Sequence, residues 1–367
     1  MRFRSVAALA ALTLALAACS GGGGGTDPSG GGAATGGTVT DGGGASSGVD
    51  GAGELVAIAT TTQLADVADQ VARCAGGSVR SLMSPGADPH EFAVSSAQIA
   101  EMTRVPLVIV NGLGLEAGMS TAIENAELDG AHIIEIAPLV DPIPFAGGVH
   151  DHADGEHADG EHADGDHADG DHADGEHDDE GAGNVVADEH DHSGDDPHIW
   201  LDASRMARAA EIIGDELAAV TGENAYGACG AEVSAELEAL HVEIAEILSP
   251  IVPQNRRLVT DHQSWGYFAD AYDFEQVGVV IPGGSTDAEP SSDQLAALVA
   301  TVRETGVPAI FSNNAGATRL IDAVASEVGD VRVVELYEGS LGPEGSDAET
   351  YAGMMRTNAR LIVETLG

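Results

Sequence analysis

The chain contains no lysine, and its 14 basic residues are all arginines, set against 61 aspartates and glutamates. The formal net charge of -47 argues against nucleic acid and anionic membrane surfaces as partners, because both carry negative charge themselves. Familiar catalytic signatures are also missing: there is no HExxH helix, no phosphate-binding glycine-rich loop and no GxSxG elbow. The sequence therefore favours a binding protein over an enzyme.

One segment concentrates side chains that bind metal ions. Between residues 149 and 198 the phrase HADGE or HADGD recurs with a period of five, alongside 19 acidic residues and no basic ones. Nine of the 14 histidines lie there: His150, His152, His157, His162, His167, His172, His177, His190 and His192. The period matches neither a helix nor a strand, so residues 149–195 are predicted to be a disordered metal-binding loop. A solvated acidic loop whose histidines bind nothing is the alternative.

Residues 1–19 combine a short basic start, an apolar run and the sequence Leu-Ala-Ala-Cys, which predicts an export signal. The run is too short to span a bilayer as a retained helix. Its end resembles a bacterial lipobox, which implies that Cys19 is lipidated, becomes the mature N-terminus and anchors the protein. A cleaved secretory signal with a chance cysteine is the alternative. Glycine, serine, threonine and aspartate dominate residues 20–53, which are predicted to form a flexible tether.

The two remaining cysteines, Cys74 and Cys229, are expected to lie in an oxidising compartment if the chain is exported. A disulfide between them is possible, and two separate buried thiols are the alternative.

Short apolar segments alternate with helical patterns through the rest of the chain. Strands are predicted at 54–60, 104–111, 131–136, 257–260, 276–281, 309–312 and 331–336. This alternation indicates parallel sheets, so residues 54–222 and 250–367 are each predicted to form an α/β lobe. Apolar residues at helical spacing predict a connecting helix over residues 223–249, which Pro250 and Pro253 end.

Five histidines lie outside the repeat tract, and three of them share a local pattern. His90 occurs in GADPHEF, His198 in DDPHIWLD and His262 in TDHQSWGYF. A proline or aspartate immediately before the histidine fixes the backbone and offers a carboxylate partner, as suits a metal ligand. His132, in a predicted strand, and His241, on the connecting helix, have no such setting.

Six motifs, in order, resemble the cluster A-I (cluster 9) solute-binding family, the metal-binding lipoproteins of zinc and manganese ABC importers. They are DPHEF at 88–92, NGLGLE at 111–116, DPHIWLD at 196–202, DHQSWGYFADAYDF at 261–274, AEPSSDQL at 288–295 and SLGPEGSDAETYAGMMRTN at 340–358. The resemblance covers about residues 54–367. It implies two α/β lobes joined by one long rigid helix, with the metal in the cleft between them.

The resemblance also implies a ligand set. The family's ligands fall on His90, His198 and His262. Manganese-selective relatives resemble this pattern but carry a carboxylate in place of His262, so three imidazoles favour Zn²⁺.

The fourth ligand is where this sequence departs from the family. Many relatives carry an aspartate in a phrase like LYTDSLG, and here Gly339 stands at that position within LYEGSLG. Glu338 is the predicted substitute, although adjacent residues on extended backbone point in opposite directions. Water, Glu91 or a histidine from the tract are the alternatives.

These observations predict an extracytoplasmic, lipid-anchored monomer that captures Zn²⁺ and delivers it to the permease of an ABC importer. The tract would then be an accessory antenna that concentrates zinc at the mouth of the cleft. A manganese receptor of the same family, a surface-anchored zinc store and a zinc hydrolase are the alternatives.

Overall fold

The computed structural model describes residues 53–145, 194–316 and 319–367. Their strands are β1 (Glu54–Ala59), β2 (Gly77–Ser81), β3 (Leu107–Val110), β4 (Ile133–Glu135), β5 (Arg257–Thr260), β6 (Glu275–Val279), β7 (Ala309–Asn313) and β8 (Arg332–Leu336). They form two parallel sheets, ordered β2-β1-β3-β4 and β6-β5-β7-β8. The two lobes therefore share one topology. Cys19, the tether up to residue 52 and the nine tract histidines lie outside the described residues.

The central strands explain why these segments pair in parallel. Every residue of β3 (LVIV) and of β7 (AIFSN) is buried, as expected when both faces of a parallel sheet are covered. The sequence-based prediction missed β2, whose residues GSVRS include a single large apolar side chain, Val79. This strand lies at the edge of its sheet, so its pairing with β1, rather than its own hydrophobicity, defines it.

Nine helices surround the sheets in the described residues. They are α1 (Thr62–Cys74), α2 (Ser96–Met102), α3 (Ser120–Leu128), α4 (Ala203–Thr221), α5 (Ala225–Leu248), α6 (Gly266–Tyr272), α7 (Ser292–Thr305), α8 (Arg319–Val328) and α9 (Tyr351–Leu366). Several begin at side-chain caps: Ser95 and Ser291 each form a capping box with a glutamine three residues later. In this part of the chain, no helix has both the length and the apolar character needed to cross a membrane.

The predicted connecting helix is α5, whose 24 residues span about 36 Å. It packs along α4, and the two backbones approach closely at Gly214 and Gly230. A Cβ on Gly230 would lie 2.7 Å from the carbonyl oxygen of Ala210 and 3.0 Å from the Cα of Gly214. The linking element is thus a helix pair, in which glycine is needed where the helices meet.

Both lobes hold α5. Cys229 of α5 is joined by a disulfide to Cys74 at the end of α1, with the two Cα atoms 5.8 Å apart. Toward its other end, Glu243 accepts two hydrogen bonds, of 2.8 and 2.7 Å, from Arg356 of α9. The predicted α/β class, with two parallel-sheet lobes and a long linking helix, is confirmed.

Candidate metal centre

The four predicted ligands lie on loops of the two lobes. His90 is on the irregular loop between β2 and α2, and His198 directly precedes the short 3-10 turn Ile199–Leu201 that leads into α4. His262 lies two residues after β5, and Glu338 two residues after β8. The carboxyl ends of parallel strands are the usual ligand-binding edge of an open α/β sheet. The fold therefore gathers side chains from both lobes.

The structure brings these side chains together in a buried cluster. The Nε2 atom of His198 lies 3.3 Å from that of His90 and 3.2 Å from that of His262. A tetrahedral zinc site with bonds of about 2.05 Å has ligand atoms about 3.3 Å apart. Both distances from His198 match such a site, and the ligand atoms of all three histidines lie within 4.8 Å of one another.

Glu338 lies beside two of these histidines. Its Oε1 is 3.9 Å from the Nε2 of His198 and 3.7 Å from that of His262, so it would bind after a small inward shift. The exposed fraction is 8% for His90, 1% for Glu338 and zero for the other two histidines. The group forms a buried site suited to a divalent metal ion.

An aspartate lies beside the Nδ1 atom of two of the histidines. Asp196 Oδ1 accepts hydrogen bonds from the main-chain N–H of His198 at 2.9 Å and from its Nδ1 at 2.7 Å. Asp261 Oδ2 lies 3.2 Å from the Nδ1 of His262. Each carboxylate thus faces Nδ1 and leaves Nε2 directed into the cluster, as histidines that bind metal require.

Burial shapes the protonation of the cluster. Loss of solvent lowers the pKa of His90 to about 2 and that of His198 well below its usual value, with the other imidazoles adding to the effect. Both rings are therefore neutral at pH 7, the form that binds metal.

His262 behaves in the opposite way. Burial by itself would lower its pKa, but the carboxylates of Asp261 and Glu338 outweigh burial and raise the pKa to about 9. For Glu338, burial disfavours the charged carboxylate and raises the pKa to about 8. The Glu338 Oε2, the Asp261 Oδ1 and the Nδ1 of His262 have no hydrogen-bond partner among the described residues. A cation between these groups would satisfy them, and without metal the proton of His262 supplies that positive charge.

Gly339 stands where relatives carry the aspartate, yet Glu338 is the residue that faces the cluster. Adjacent side chains point in opposite directions, which explains this difference. A Cβ built on Gly339 would lie 2.8 Å from the Cβ of Ala315 and 2.9 Å from the Oδ1 of Asn313. Position 339 therefore faces the end of β7, with no room for a side chain, while Glu338 faces the histidines.

Main-chain hydrogen bonds hold the Glu338 segment. Its carbonyl oxygen accepts from the Nε2 of Gln63 and the Nε1 of Trp200, both at 2.9 Å, and both residues belong to the first lobe. Its N–H donates to the Oδ1 of Asn314 at 3.0 Å, and the N–H of Gly339 donates to the Oδ1 of Asn313 at the same distance. The fourth ligand position is thus fixed from both lobes.

The other candidates lie elsewhere. His132 is largely exposed and faces Glu216 at 3.4 Å, and His241 stacks on Tyr272 with ring centroids 5.2 Å apart. Glu91, an alternative fourth ligand, is exposed and lines a cavity with Asp261 rather than joining the four-residue cluster.

Sequence inspection missed the residues that hold Glu338. Gln63 lies 275 residues from Glu338 and Trp200 lies 138 residues from it, so no local spacing connects them. The TDH phrase did contain a signal for Asp261, because the carboxylate directly precedes the histidine. The partner of His198, by contrast, is Asp196, two residues before it.

An α/β fold with two lobes and a buried cluster of histidines and carboxylates suited to a divalent metal is the architecture of a metal-binding solute-binding protein. A family model described as ZnuA, zinc-uptake complex component A, periplasmic, matches residues 58–365. The chain belongs to this family of extracytoplasmic solute-binding proteins, which serve metal importers and are not enzymes. The hydrolase alternative is therefore set aside.

Some relatives within the family are named as manganese-binding proteins and others as zinc-binding proteins. The chain is 25% identical over 319 residues to the manganese-binding lipoprotein MntA of Halalkalibacterium halodurans, which covers 86% of this chain and 90% of the relative. It is 24% identical over 318 residues to the zinc-binding protein TroA of Treponema pallidum, which covers 83% of this chain and 87% of the relative. Sequence similarity thus supports the family without selecting the metal.

Solved structures agree on the fold. The periplasmic zinc-binding protein TroA of Treponema pallidum superposes with a TM-score of 0.66 at 21% identity, covering 86% of this chain and 100% of that one. A manganese-bound periplasmic metal-binding protein from Candidatus Liberibacter asiaticus gives 0.65 at 20% identity, with the same coverage.

Proposed function

We propose that the protein is a zinc receptor: it captures Zn²⁺ outside the cytoplasm in the site formed by His90, His198, His262 and Glu338, and delivers it to the permease of an ABC importer. The observation that carries the proposal is the buried cluster of three imidazole nitrogens and one carboxylate oxygen, in which neighbouring ligand atoms lie 3.2–3.9 Å apart. Nitrogen-rich tetrahedral sites suit Zn²⁺, whereas Mn²⁺ prefers more oxygen ligands and a higher coordination number.

Competition between metals tests the choice of zinc. The full chain is titrated with Zn²⁺ in the presence of excess Mn²⁺, and X-ray absorption at the zinc edge counts the ligands. Zinc should displace manganese, with three imidazole nitrogens and one oxygen around the ion. Tighter binding of Mn²⁺, or fewer than three imidazoles, would contradict the proposal. A His262→Asp variant should move the preference toward Mn²⁺, because it exchanges nitrogen for carboxylate oxygen.

A manganese receptor is the second candidate, and one observation favours it. Asp261, His262 and Glu338 also form a group whose possible ligand atoms lie within 4.8 Å of one another. If the Asp261 carboxylate turned from Nδ1 toward the ion, the site would gain oxygen ligands and become harder. The Asp261→Asn variant separates the two candidates. If the three histidines and Glu338 hold zinc, the preference between Zn²⁺ and Mn²⁺ should barely change, whereas a manganese site that uses the Asp261 carboxylate should lose its preference for Mn²⁺.

The segments outside the described residues complete the proposal. Cys19 carries the lipid anchor, residues 20–53 separate it from the lobes, and the tract histidines collect zinc near the cleft. Within the described residues, Pro144 and Asp195 pair across the two ends of the tract, and Asp195 lines the same cavity as His90. The tract therefore leaves and rejoins the fold beside this ligand.

Deletion of residues 149–195 separates a receptor from a store. The shortened chain should keep one tightly bound zinc ion and lose only weaker sites, because the buried cluster is intact. Loss of all tight binding, or several equivalent sites in the full chain, would favour the store. Lipidation is tested separately: Cys19→Ser should release the protein from the membrane.

A further inference from the structure

His90 is the ligand with the least support from its own lobe. It lies on the irregular loop between β2 and α2, and its main-chain N–H donates to the Oδ1 of Asp88 at 2.9 Å. Among the described residues, its ring has no carboxylate partner of the kind that Asp196 provides for His198 and Asp261 for His262. The position of His90 therefore depends on how the Asp88 turn is held.

The second lobe holds that turn. The hydroxyl of Thr286, in the loop between β6 and α7, donates to the Oδ2 of Asp88 at 2.7 Å, across 198 residues of sequence. A second contact lies nearby: the N–H of Gly86 donates to the Oγ of Ser340 at 2.7 Å. Thus one oxygen of Asp88 holds the backbone of His90, and the other is held from the opposite lobe.

The Thr286 loop also forms a wall beside His90. A cavity of about 290 Å³ is lined by His90 and Pro197 from one lobe and by Gly284, Ser285 and Asp287 from the other. The ring of Phe145 lies directly against Gly284, where a Cβ would overlap it. Withdrawal of this loop would open the cavity at His90 and break the bond to Asp88 in one movement.

Two of the remaining ligands, His198 and Glu338, are held by other contacts. His198 is oriented by Asp196 of its own lobe, and the segment that carries Glu338 is held by Gln63 and Trp200 in addition to bonds within its own lobe. A small separation of the Thr286 loop would therefore act first on His90.

We propose that Thr286 is a positioning residue for His90: by donating a hydrogen bond to Asp88, it makes the placement of this ligand depend on docking of the second-lobe loop. The proposal rests on the metal-receptor function above and adds a route for release. Undocking of the loop from Asp88 loosens His90 first and speeds metal dissociation.

Zinc dissociation from the full chain tests this assignment. The zinc-loaded protein is mixed with excess chelator, and the release rate is measured for the wild type, Thr286→Val and Thr286→Ser. Thr286→Val keeps the shape and removes the hydroxyl, so release should be about 10- to 150-fold faster, the scale of one hydrogen bond to a charged group. Thr286→Ser should restore most of the wild-type rate.

A matched control removes a hydroxyl that has no contact with the site. Thr301→Val deletes a bond to the carbonyl of Ala297 within α7, and it should leave the rate unchanged. The melting temperature of the metal-free protein is compared for all variants. If Thr286 only stabilises the fold, Thr286→Val should change the melting temperature, and the release rate should not return toward the wild-type value in Thr286→Ser.

Two further outcomes decide the inference. In an Asp88→Asn background, Thr286→Val should speed zinc release less than it does in the wild type, because both changes act on one hydrogen bond. The proposal is overturned if the increase is as large as in the wild type. It is also overturned if Thr286→Val alone releases zinc at the wild-type rate. His90→Ala is the separate test of the receptor function. If it leaves zinc affinity intact, the ligand assignment fails, whereas a lower affinity with no Thr286 effect rejects only the positioning role.

Discussion

Replacement of Glu338 by glutamine gives the sharpest test of the fourth ligand. The change keeps the size of a side chain that is 1% exposed, and replaces an anionic oxygen with a neutral amide. Mutation of residues that merely support metal ligands lowers affinity by about 10- to 100-fold, so loss of an anionic ligand should exceed about 100-fold. The exposed Glu335→Gln in β8 is the matched control and should bind zinc as the wild type does.

The size of this difference should depend on pH. Burial raises the pKa of Glu338 to about 8, so at pH 7 the wild type must give up a proton before this group binds metal, at about 1.4 kcal/mol per unit of pKa above the pH. The glutamine variant has no such proton. The Glu338→Gln change also removes one of the negative charges that raise the pKa of His262, so the His262 imidazole loses its proton more readily in the variant. Acid therefore weakens the wild type more than the variant.

Chelator competition at pH 7 and pH 9 measures both effects. The affinity gap between wild type and Glu338→Gln should widen at the higher pH, where less free energy is needed to remove the proton. A gap that is constant or narrows would show that Glu338 carries no proton at pH 7. The absence of any gap at either pH would remove Glu338 from the ligand set.

Three further changes test other parts of the structure. His262→Ala should weaken zinc binding far more than His132→Ala, measured by the same competition, because only the first belongs to the buried cluster; equal effects would refute the ligand assignment. Cys229→Ser should lower the free energy of unfolding by about 2–4 kcal/mol in denaturant titrations with little change in zinc affinity, since the disulfide ties α5 to α1 away from the metal site. Gly339→Asp should lower the melting temperature rather than supply a ligand, because a Cβ there would clash with Ala315 and Asn313; unchanged stability with tighter binding would contradict this geometry.

Local patterns were sufficient for the fold class and for the three histidines. Alternating apolar runs and helical segments predicted two parallel-sheet lobes, and seven of the strands seen in the described residues lie within or overlap their predicted ranges. The eighth, β2, was missed because it is short, lies at a sheet edge and has little hydrophobic signal. The motifs around His90, His198 and His262 singled these residues out, and the structure brings all three together.

Other features depended on contacts between distant parts of the chain. Position 339 faces Asn313 and Ala315 with no room for a side chain, which no local sequence pattern reports. The pairing of Cys74 with Cys229 was one of two open alternatives, and the packing of α1 against α5 places the two residues together.

The sequence by itself determined the family, the lobes and the three histidines that the structure gathers, because these depend on hydrophobic periodicity and on short motifs. Only the tertiary structure decided how the ligands are held: the raised pKa of His262 needs two carboxylates, one of them from a distant strand, and the link from Thr286 through Asp88 to His90 joins the two lobes. Such couplings arise where packing between distant parts of the chain excludes water and fixes the distances between charged groups. Neither the burial of a group nor its distance from a partner is encoded in local sequence spacing.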